Sequence, residues 1–300
     1  MLAAYRSCPQ QFWLSYVRRI TSAGRNPHFN AGGAFAKGLE VARRIYCHMK
    51  DEGTAAVAEM EQEALHGGLL ALTKAYGDYE PGDKYRNKTW DRVATAFISY
   101  LEKYPLSSDM LQVANVGGKH MVEFSFAIPF PVRHPTTGNP IIYAGRLDWI
   151  ARYKDQGLFA VDEKTTKSFA YNWASQWALR AQLIGYTYAC QDYGIPVVGS
   201  VVRGTALLLT EIQHNQSIML VPQWKLDRWK EQAIDTMRSM VQSWEDDYWR
   251  WDYGSSCTTY GGCQFQDLCN VKEPEPWMAE EAGLFVPNTW NPLERKDEED

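Results

Sequence analysis

The hydrophobic pattern of the first half of the chain is helical. Between Ala34 and Met49, apolar residues recur at intervals of three and four, which predicts an amphipathic helix. Similar spacing continues through residues 51–116 without strand-like alternation, so we expect residues 41–117 to form a helical insertion. Three pairs of helix-breaking residues are predicted to lie between helices: Gly32–Gly33, Gly67–Gly68 and Pro81–Gly82.

The pattern changes at Lys119, where apolar and polar residues alternate as in a half-buried strand. Three antiparallel strands are predicted at 119–126, 141–152 and 158–165. The later elements are predicted to be a helix at 171–193, strands at 197–203 and 205–212, and a helix at 222–249. This order is typical of a mixed α/β core. The acidic end from Glu294 to Asp300 is predicted to be disordered.

Composition narrows the class of protein. The 300 residues are 45% hydrophobic, which is enough for one large domain with insertions or for two modest domains. No apolar run approaches the roughly 20 residues that span a bilayer, and the N-terminus lacks the basic and apolar regions of a signal peptide. We therefore expect a cytoplasmic protein without a membrane partner.

Charge and aromatic content bear on nucleic-acid binding. The net charge of −5 means that any phosphate contact must come from local patches, and Arg43–Arg44 is one candidate. Such a pair is more often a solvated face. The 12 Trp and 17 Tyr supply either core mass or base-stacking surfaces.

Carboxylates and a lysine converge in the central strands. Asp162 and Lys164 share one face of a strand, while Glu163 points to the other. An odd hairpin loop, such as the five residues Tyr153–Gly157, would put Asp148 beside Asp162, whereas an even loop would put Glu163 there. Adjacent carboxylates repel unless they share a cation, and Mg²⁺ or Mn²⁺ prefers oxygen ligands. The alternative is a surface ladder of opposite charges.

A metal held in this way would give the site a definite chemistry. It can lower the pKa of a bound water and stabilise charge that grows on a phosphate, while Lys164 orients or deprotonates the water. These are the requirements of phosphodiester hydrolysis.

The motifs around these residues resemble a known family. Gly145-Arg146-x-Asp148, Asp162-x-Lys164-Thr165 and Gln182-x-x-x-Tyr186 are similar to the RecB and Cas4-like branch of the PD-(D/E)xK nucleases. The resemblance implies a restriction-endonuclease-like mixed sheet core flanked by helices. It also implies that the acids bind metal, the lysine assists the water, and the Gln and Tyr position DNA and the site. The residues that would carry these roles are Asp148, Asp162, Lys164, Gln182 and Tyr186.

Four further positions correspond to positions of interest in the same family. Glu123 stands where the family often has an acid, although it could merely face solvent, and Arg146 could hold a phosphate. Ala36 replaces a histidine that often precedes Leu-Glu in the first helix. Glu40 could supply a metal ligand in its place or be an ordinary helix residue.

The six cysteines are expected to be metal ligands or core thiols, because cytosolic chains rarely form structural disulfides. Cys257, Cys263 and Cys269 are spaced by six, and three thiolates need a fourth ligand. Cys47 and Cys190 fall in helical patterns and are predicted to be core residues.

The segment around Cys8 is similar to the first cluster cysteine of Cas4, AddB and Dna2-like nucleases. By this resemblance, a [4Fe-4S] cluster is held by Cys8, Cys257, Cys263 and Cys269. Structural Zn²⁺ is the alternative. We expect a nuclease domain over 1–272, in which 250–272 and Cys8 form a cysteine-stapled segment, and a tail at 273–300.

Together these features predict a metal-dependent DNA nuclease, an exonuclease for single-stranded DNA or DNA ends, with a possible helicase or recombination partner. RNA is an alternative substrate. A non-catalytic iron-sulfur subunit for DNA binding or assembly in a recombination or repair complex is the alternative function. The sequence contains neither a phosphate-binding glycine loop nor a nucleophile elbow, which disfavours an NTPase or a serine hydrolase.

Overall fold

The computed structural model of the protein describes residues 1–24, 26–258, 262–271, 283–289, 291 and 293. Contacts divide the chain into two units. Unit one comprises Met1–Arg25, Ala127–Ala144 and Asp227–Asp300, and unit two comprises Asn26–Phe126 and Gly145–Leu226. The predicted acidic tail at 294–300 lies outside the described residues.

Helices occur along most of the chain. The α-helices of the described residues are α1 (Leu2–Ser7), α2 (Pro9–Phe12), α3 (Pro27–Glu52), α4 (Val57–Tyr76), α5 (Trp90–Lys103), α6 (Ala181–Asp192), α7 (Gln223–Glu245) and α8 (Gln266–Cys269). A π-helical turn follows α2 at Trp13–Val17. The described 3-10 turns are Asp83–Lys88, Lys154–Gln156, Ser175–Trp177 and Ser255–Cys257.

The described strands form one large sheet and two small ones. The described strands are β1 (Ile20–Ser22), β2 (Leu111–Val113), β3 (Asn115–Val116), β4 (Lys119–His120), β5 (Val122–Arg133), β6 (Pro140–Tyr153), β7 (Leu158–Thr166), β8 (Val197–Leu207), β9 (Ile212–Leu220) and β10 (Phe285–Pro287). The large sheet has the order β2-β6-β7-β8-β9, with β5 also paired to β6. β7 and β8 are parallel, whereas β6 and β9 run antiparallel to them.

Helix α3 begins earlier than the hydrophobic pattern predicts. The side chain of Asn26 accepts a hydrogen bond from the backbone N–H of His28, and Pro27 occupies the first turn, which together cap the helix N-terminus. The helix then runs through Gly32–Gly33, so the prediction that this pair breaks the helix is wrong. A favourable N-cap and the buried apolar face that follows outweigh the low helix propensity of two glycines.

The second glycine pair is also inside a helix, contrary to prediction. Gly67–Gly68 lies in the middle of α4, where α4 packs on α3 and α5. A Cβ atom at Gly68 would lie 2.8 Å from the carbonyl oxygen of Gly38 and 2.5 Å from the Phe97 ring. Glycine here permits two helix backbones to approach closely, and it does not end the helix.

The region after β7 differs from the predicted pattern in two ways. The predicted helix at 171–193 begins only at Ala181, because residues 171–180 form short turns in which Trp173 is buried. The predicted break between two strands at residue 204 is absent, and β8 continues to Leu207 before the chain turns. Position 204 is glycine because the rings of Phe169 and Trp173 occupy the space that a side chain would fill.

In unit two, helices flank the mixed sheet. α3 packs on β7, α6 on β7 and β8, and α5 on β8 and β9. The predicted insertion at 41–117 contains α4 and α5, and also the short strands β2 and β3. The mixed α/β fold, with a mixed sheet and flanking helices of the restriction-endonuclease type, is thereby confirmed.

Unit one joins sequence from both ends of the chain. β1 pairs with β10 antiparallel, and one core cluster contains Leu14, Ile20, Phe265, Leu268 and Phe285. In the part of the chain that the structure describes, no helix is long and apolar enough to cross a membrane.

Candidate active site

The register between β6 and β7 brings the two predicted metal-binding acids to neighbouring positions. Trp149 pairs with Val161, and Arg152 pairs with Leu158 across the loop of 153–157, as expected for an odd loop. Asp148 and Asp162 lie one position beyond the Trp149–Val161 pair. One carboxylate oxygen of Asp148 accepts a hydrogen bond from the backbone N–H of Glu163 at 2.6 Å.

Burial and neighbouring negative charges make both acids hard to ionise. The pKa of Asp148 is raised to about 7, first by burial and then by the negative charges of Asp162 and Glu163. Burial also raises the pKa of Asp162, although Lys164 opposes that shift. A cation between the two carboxylates would relieve this repulsion.

Lys164 is the cation that the fold itself supplies. Its Nζ lies 2.7 Å from Oδ2 of Asp162 and donates a hydrogen bond to Oδ1 at 3.0 Å. Burial lowers the pKa of Lys164, but Asp162 and Asp148 raise it, and the net shift is upward. Oδ2 of Asp162 is buried and accepts no hydrogen bond of good geometry from any described residue. Its nearest cation is Lys164, so a metal that binds this oxygen would share it with the ammonium group or displace that group.

A cavity of about 170 Å³ opens beside Asp148. It is lined by Gly33, Ala36, Lys37, Glu40, Arg43, Glu123, Asp148 and Glu163. The two further candidate metal ligands, Glu40 and Glu123, thus share a cavity with Asp148. Ala36, which replaces the family histidine, lines the same cavity.

Both of these further acids are already paired with basic residues. Glu40 contacts Arg44 at 2.8 Å and Lys37 at 3.2 Å. Glu123 contacts Arg146 at 2.7 Å and Arg44 at 3.6 Å. Arg146, predicted to hold a phosphate, is thus engaged by Glu123 in this structure.

Glu123 also has an unusual backbone conformation. Its φ of 56° lies in the left-handed region, which non-glycine residues seldom adopt. Such conformations cost free energy and tend to persist where a side chain must be aimed at a functional site.

The donor set fits a hard divalent cation in part. Across the described ranges, no three His, Cys, Asp or Glu side chains are grouped so that they could hold a metal ion. Mg²⁺ commonly binds through one or two carboxylates and completes its coordination with water and substrate phosphate. Asp148 and Asp162 can supply such a pair.

Sequence reasoning missed a buried ion-pair network on the opposite face of β7. Arg43 donates hydrogen bonds to both carboxylate oxygens of Glu163, and the hydroxyl of Tyr100 donates to the same carboxylate. Arg203 and Asp109 form a second pair at 2.6 Å beside Tyr100. Arg43 is fully buried, so it is neither a phosphate patch nor a solvated face. Its partner, Glu163, lies 120 residues away in the sequence, so no local pattern indicates this pair.

The predicted Gln and Tyr pair lies on α6, which packs against β7 and β8. Gln182 donates a hydrogen bond to the hydroxyl of Tyr186 at 2.7 Å. The Tyr186 ring is buried and makes an edge contact with Phe126 at 6.2 Å between centroids. The two side chains therefore act as one hydrogen-bonded unit.

Unit one brings the four predicted cluster cysteines into one neighbourhood. All four are half-buried free thiols. The pKa of Cys269 is raised to about 11, first by burial and then by the charges of Cys263, Cys8 and Cys257. Residues 259–261, between two of these cysteines, lie outside the described ranges. The thiol set suits a thiophilic metal, although at these side-chain positions no three described thiols converge on a common centre.

The remaining cysteines are packed inside helices. Cys47 in α3 and Cys190 in α6 are both buried. Burial raises the pKa of Cys47 to about 11 and that of Cys190 to about 12. Neither thiol is suited to react at neutral pH.

Comparison with known proteins identifies the family. A sequence model of the PD-(D/E)XK nuclease superfamily matches residues 1–270. The chain belongs to this superfamily. No curated protein sequence matches it. Among solved structures, the one described as "Crystal structure of SSO0001" is 15% identical, with a TM-score of 0.29, over 71% of this chain and 80% of the other. A similarity at this level establishes neither fold nor function.

Membership in the PD-(D/E)XK nuclease superfamily bears on the acidic pair Asp148 and Asp162. Enzymes of this superfamily are generally nucleases that use divalent metals such as Mg²⁺ or Mn²⁺. The adjacent buried carboxylates of Asp148 and Asp162 agree with that general property.

Proposed function

We propose that this protein is a metal-dependent DNA nuclease of the RecB and Cas4-like branch. The observation that carries the proposal is the buried pair Asp148 and Asp162, which shares a single cation, Lys164. Two buried carboxylates with one lysine leave an excess negative charge that a divalent cation would neutralise.

Each residue of the site has a proposed task. Asp148 and Asp162 would hold Mg²⁺ or Mn²⁺, which lowers the pKa of water and stabilises charge on phosphate. Lys164, whose pKa is raised, carries its proton at neutral pH in the metal-free protein and would donate a hydrogen bond to the attacking water or to a phosphate oxygen. Gln182 and Tyr186 would position DNA, and Arg146 would contact phosphate if Glu123 released it.

The finer assignments rest on the resemblance. They are a preference for DNA ends or single strands, exonuclease action, a cytoplasmic location and a helicase or recombination partner. Cleavage of DNA labelled separately at its 5′ and 3′ ends would reveal polarity. A closed circular single strand that is cut as fast as a linear strand would contradict exonuclease action.

We further propose that Cys8, Cys257, Cys263 and Cys269 bind a [4Fe-4S] cluster with a structural role. Support comes from their grouping in unit one and from the mutual charge effects of the thiols. Visible absorption and iron analysis of anaerobically purified protein test the assignment. About four iron atoms per chain are expected, whereas one zinc and no iron would show the alternative.

One observation favours a second candidate, a non-catalytic DNA-binding or assembly subunit. Ala36 lines the cavity beside Asp148 where the family often has a histidine. A missing ligand there would weaken metal binding and could leave a fold that binds DNA without cutting it.

Cleavage of labelled DNA with Mn²⁺ separates the two candidates. Wild type and Asp155→Ala should cut, since Asp155 lies in the exposed loop after β6, whereas Asp162→Ala and Lys164→Ala should not. DNA binding without cleavage by the wild type would favour the non-catalytic candidate. Cleavage that survives in both active-site variants would contradict the proposed site.

A further inference from the structure

The segment from 167 to 180 links β7 to α6, and its first part packs beside Lys164. The rings of Phe169 and Trp173 pack on Gly204, and Gly204 pairs directly with Lys164 in the parallel register of β7 and β8. Side chains of directly paired positions point to the same face of a sheet. The two rings therefore lie on the face of the sheet to which Lys164 points.

Aromatic contacts continue along the segment from Trp173 to Arg180. The Trp173 and Trp177 rings are 5.7 Å apart between centroids, and the guanidinium of Arg180 lies 5.6 Å from the Trp177 ring. Ser217 donates a hydrogen bond from its hydroxyl to the carbonyl oxygen of Ala174 at 2.8 Å, which fastens the segment to β9. The rings are thus held in place without a ligand.

The outer end of the segment exposes large apolar side chains. Tyr171 is fully exposed, and Leu179 is 81% exposed. Trp224, at the start of α7, is 58% exposed and has Lys225 Nζ at 5.6 Å from its ring. Lys225 also donates to the carbonyl oxygen of Ala178 at 3.3 Å, which joins α7 to the segment. Exposed apolar groups concentrated in this way usually mark a binding surface.

The charge of this region is opposite to that of the chain. The protein carries a net charge of −5, yet residues 165–191 include two cations, Lys167 and Arg180, and no Asp or Glu. A purely apolar protein partner would gain little from the cations set beside Trp177 and Trp224. A single-stranded nucleic acid matches both features, because its bases stack on rings and its phosphates attract cations.

We propose that Tyr171, Trp177, Leu179, Arg180, Trp224 and Lys225 form a stacking surface that binds single-stranded DNA and leads it toward Lys164. This inference rests on the proposed nuclease function for its substrate. Duplex DNA hides its base faces, so the surface should discriminate against it.

Binding measured without divalent metal tests the surface independently of cleavage. The probe is a fluorescein-labelled 20-nucleotide single strand, compared with a duplex of the same sequence, and the readout is fluorescence anisotropy with full-length protein. Tyr171→Ala and Trp224→Ala should each weaken single-strand binding about fivefold or more. Tyr248→Ala, an exposed ring elsewhere on the chain, should leave the affinity within about twofold, which is well below the stacking effect.

A charge variant gives a second measurement. Arg180→Gln should lower the slope of log affinity against log salt by about one, as expected for one lost phosphate contact. Equal thermal midpoints would show that all variants are folded, as expected for exposed positions.

The outcomes are distinguishable. Selective loss of single-strand binding in the ring variants supports the surface even if no DNA is ever cut. Unchanged single-strand affinity in both ring variants, or an equal loss of duplex binding, would overturn the stacking surface while leaving the nuclease site untouched.

Discussion

Two neighbouring residues of β7 show the difference between a structural charge and a functional one. Glu163 is matched by its own arginine, Arg43, with which it forms a fully buried pair, and it also accepts a hydrogen bond from Tyr100. Asp162 shares Lys164 with Asp148, and that lysine is 36% exposed. One face of the strand is thus electrically balanced, while the other has one cation for two acids.

This difference indicates which buried charges stabilise the fold and which are available to bind a ligand. A buried acid with a complete set of partners is satisfied before any ligand arrives. In an acid pair with too few partners, the pKa values are raised, and the ionised form is stabilised only when a cation binds.

The largest expected effect is on catalysis at the unbalanced face. Asp162→Asn removes one of the two carboxylates proposed to bind the metal, so DNA cleavage with Mn²⁺ should fall about a thousandfold. Because the substitution relieves repulsion, the thermal midpoint without metal should not drop. A variant that cuts DNA at the wild-type rate would contradict the proposed role of Asp162.

The next largest effect is on stability at the balanced face. Arg43→Met leaves Glu163 buried without its cation, and the free energy of unfolding should fall by about 3–5 kcal/mol. Urea denaturation measures this loss. Arg86→Met, which breaks the exposed contact with Asp83, should cost at most about 1 kcal/mol.

A double variant sharpens this prediction. Arg43→Met with Glu163→Gln removes both charges, so it should be less destabilised than the sum of the two single variants. Simple additivity would show that the pair is not coupled, contrary to the account of a balanced face.

A smaller effect is expected on the pH dependence of stability. The pKa of Asp148 is raised to about 7 in the folded protein, above its value of 3.8 when unfolded. The folded state therefore holds this proton more tightly, and its stabilising effect is lost as pH rises through about 7. Asp148→Asn cannot ionise, so without metal it should melt a few degrees above wild type at pH 8 and show no such gain near pH 4.

Thermal unfolding monitored by circular dichroism at the two pH values provides this measurement. Asp155→Asn is the matched control, because that aspartate is exposed. An equal shift for both variants, or the same shift at both pH values, would argue against a raised pKa at Asp148.

The sequence predicted the elements of the active site better than their surroundings. Strand alternation and loop parity depend on near neighbours, so the shared face of Asp162 and Lys164 and the register that brings Asp148 to them could be anticipated. The structural roles of Gly68 and Gly204 could not be predicted in this way. A side chain at either position would clash with a backbone or ring that is distant in sequence. The pairing of Arg43 with Glu163 was missed for the same reason, since the two residues meet only after the fold forms.

The measurement that tests the central claim most directly is equilibrium binding of Mn²⁺ by isothermal titration calorimetry at pH 8. The account predicts at least one Mn²⁺ bound per wild-type chain, with the same binding in Asp155→Asn and a severe loss in both Asp148→Asn and Asp162→Asn. Wild-type protein that binds no Mn²⁺ with DNA present or absent, or variants that bind it as tightly as wild type, would contradict the claim that these two acids share a metal.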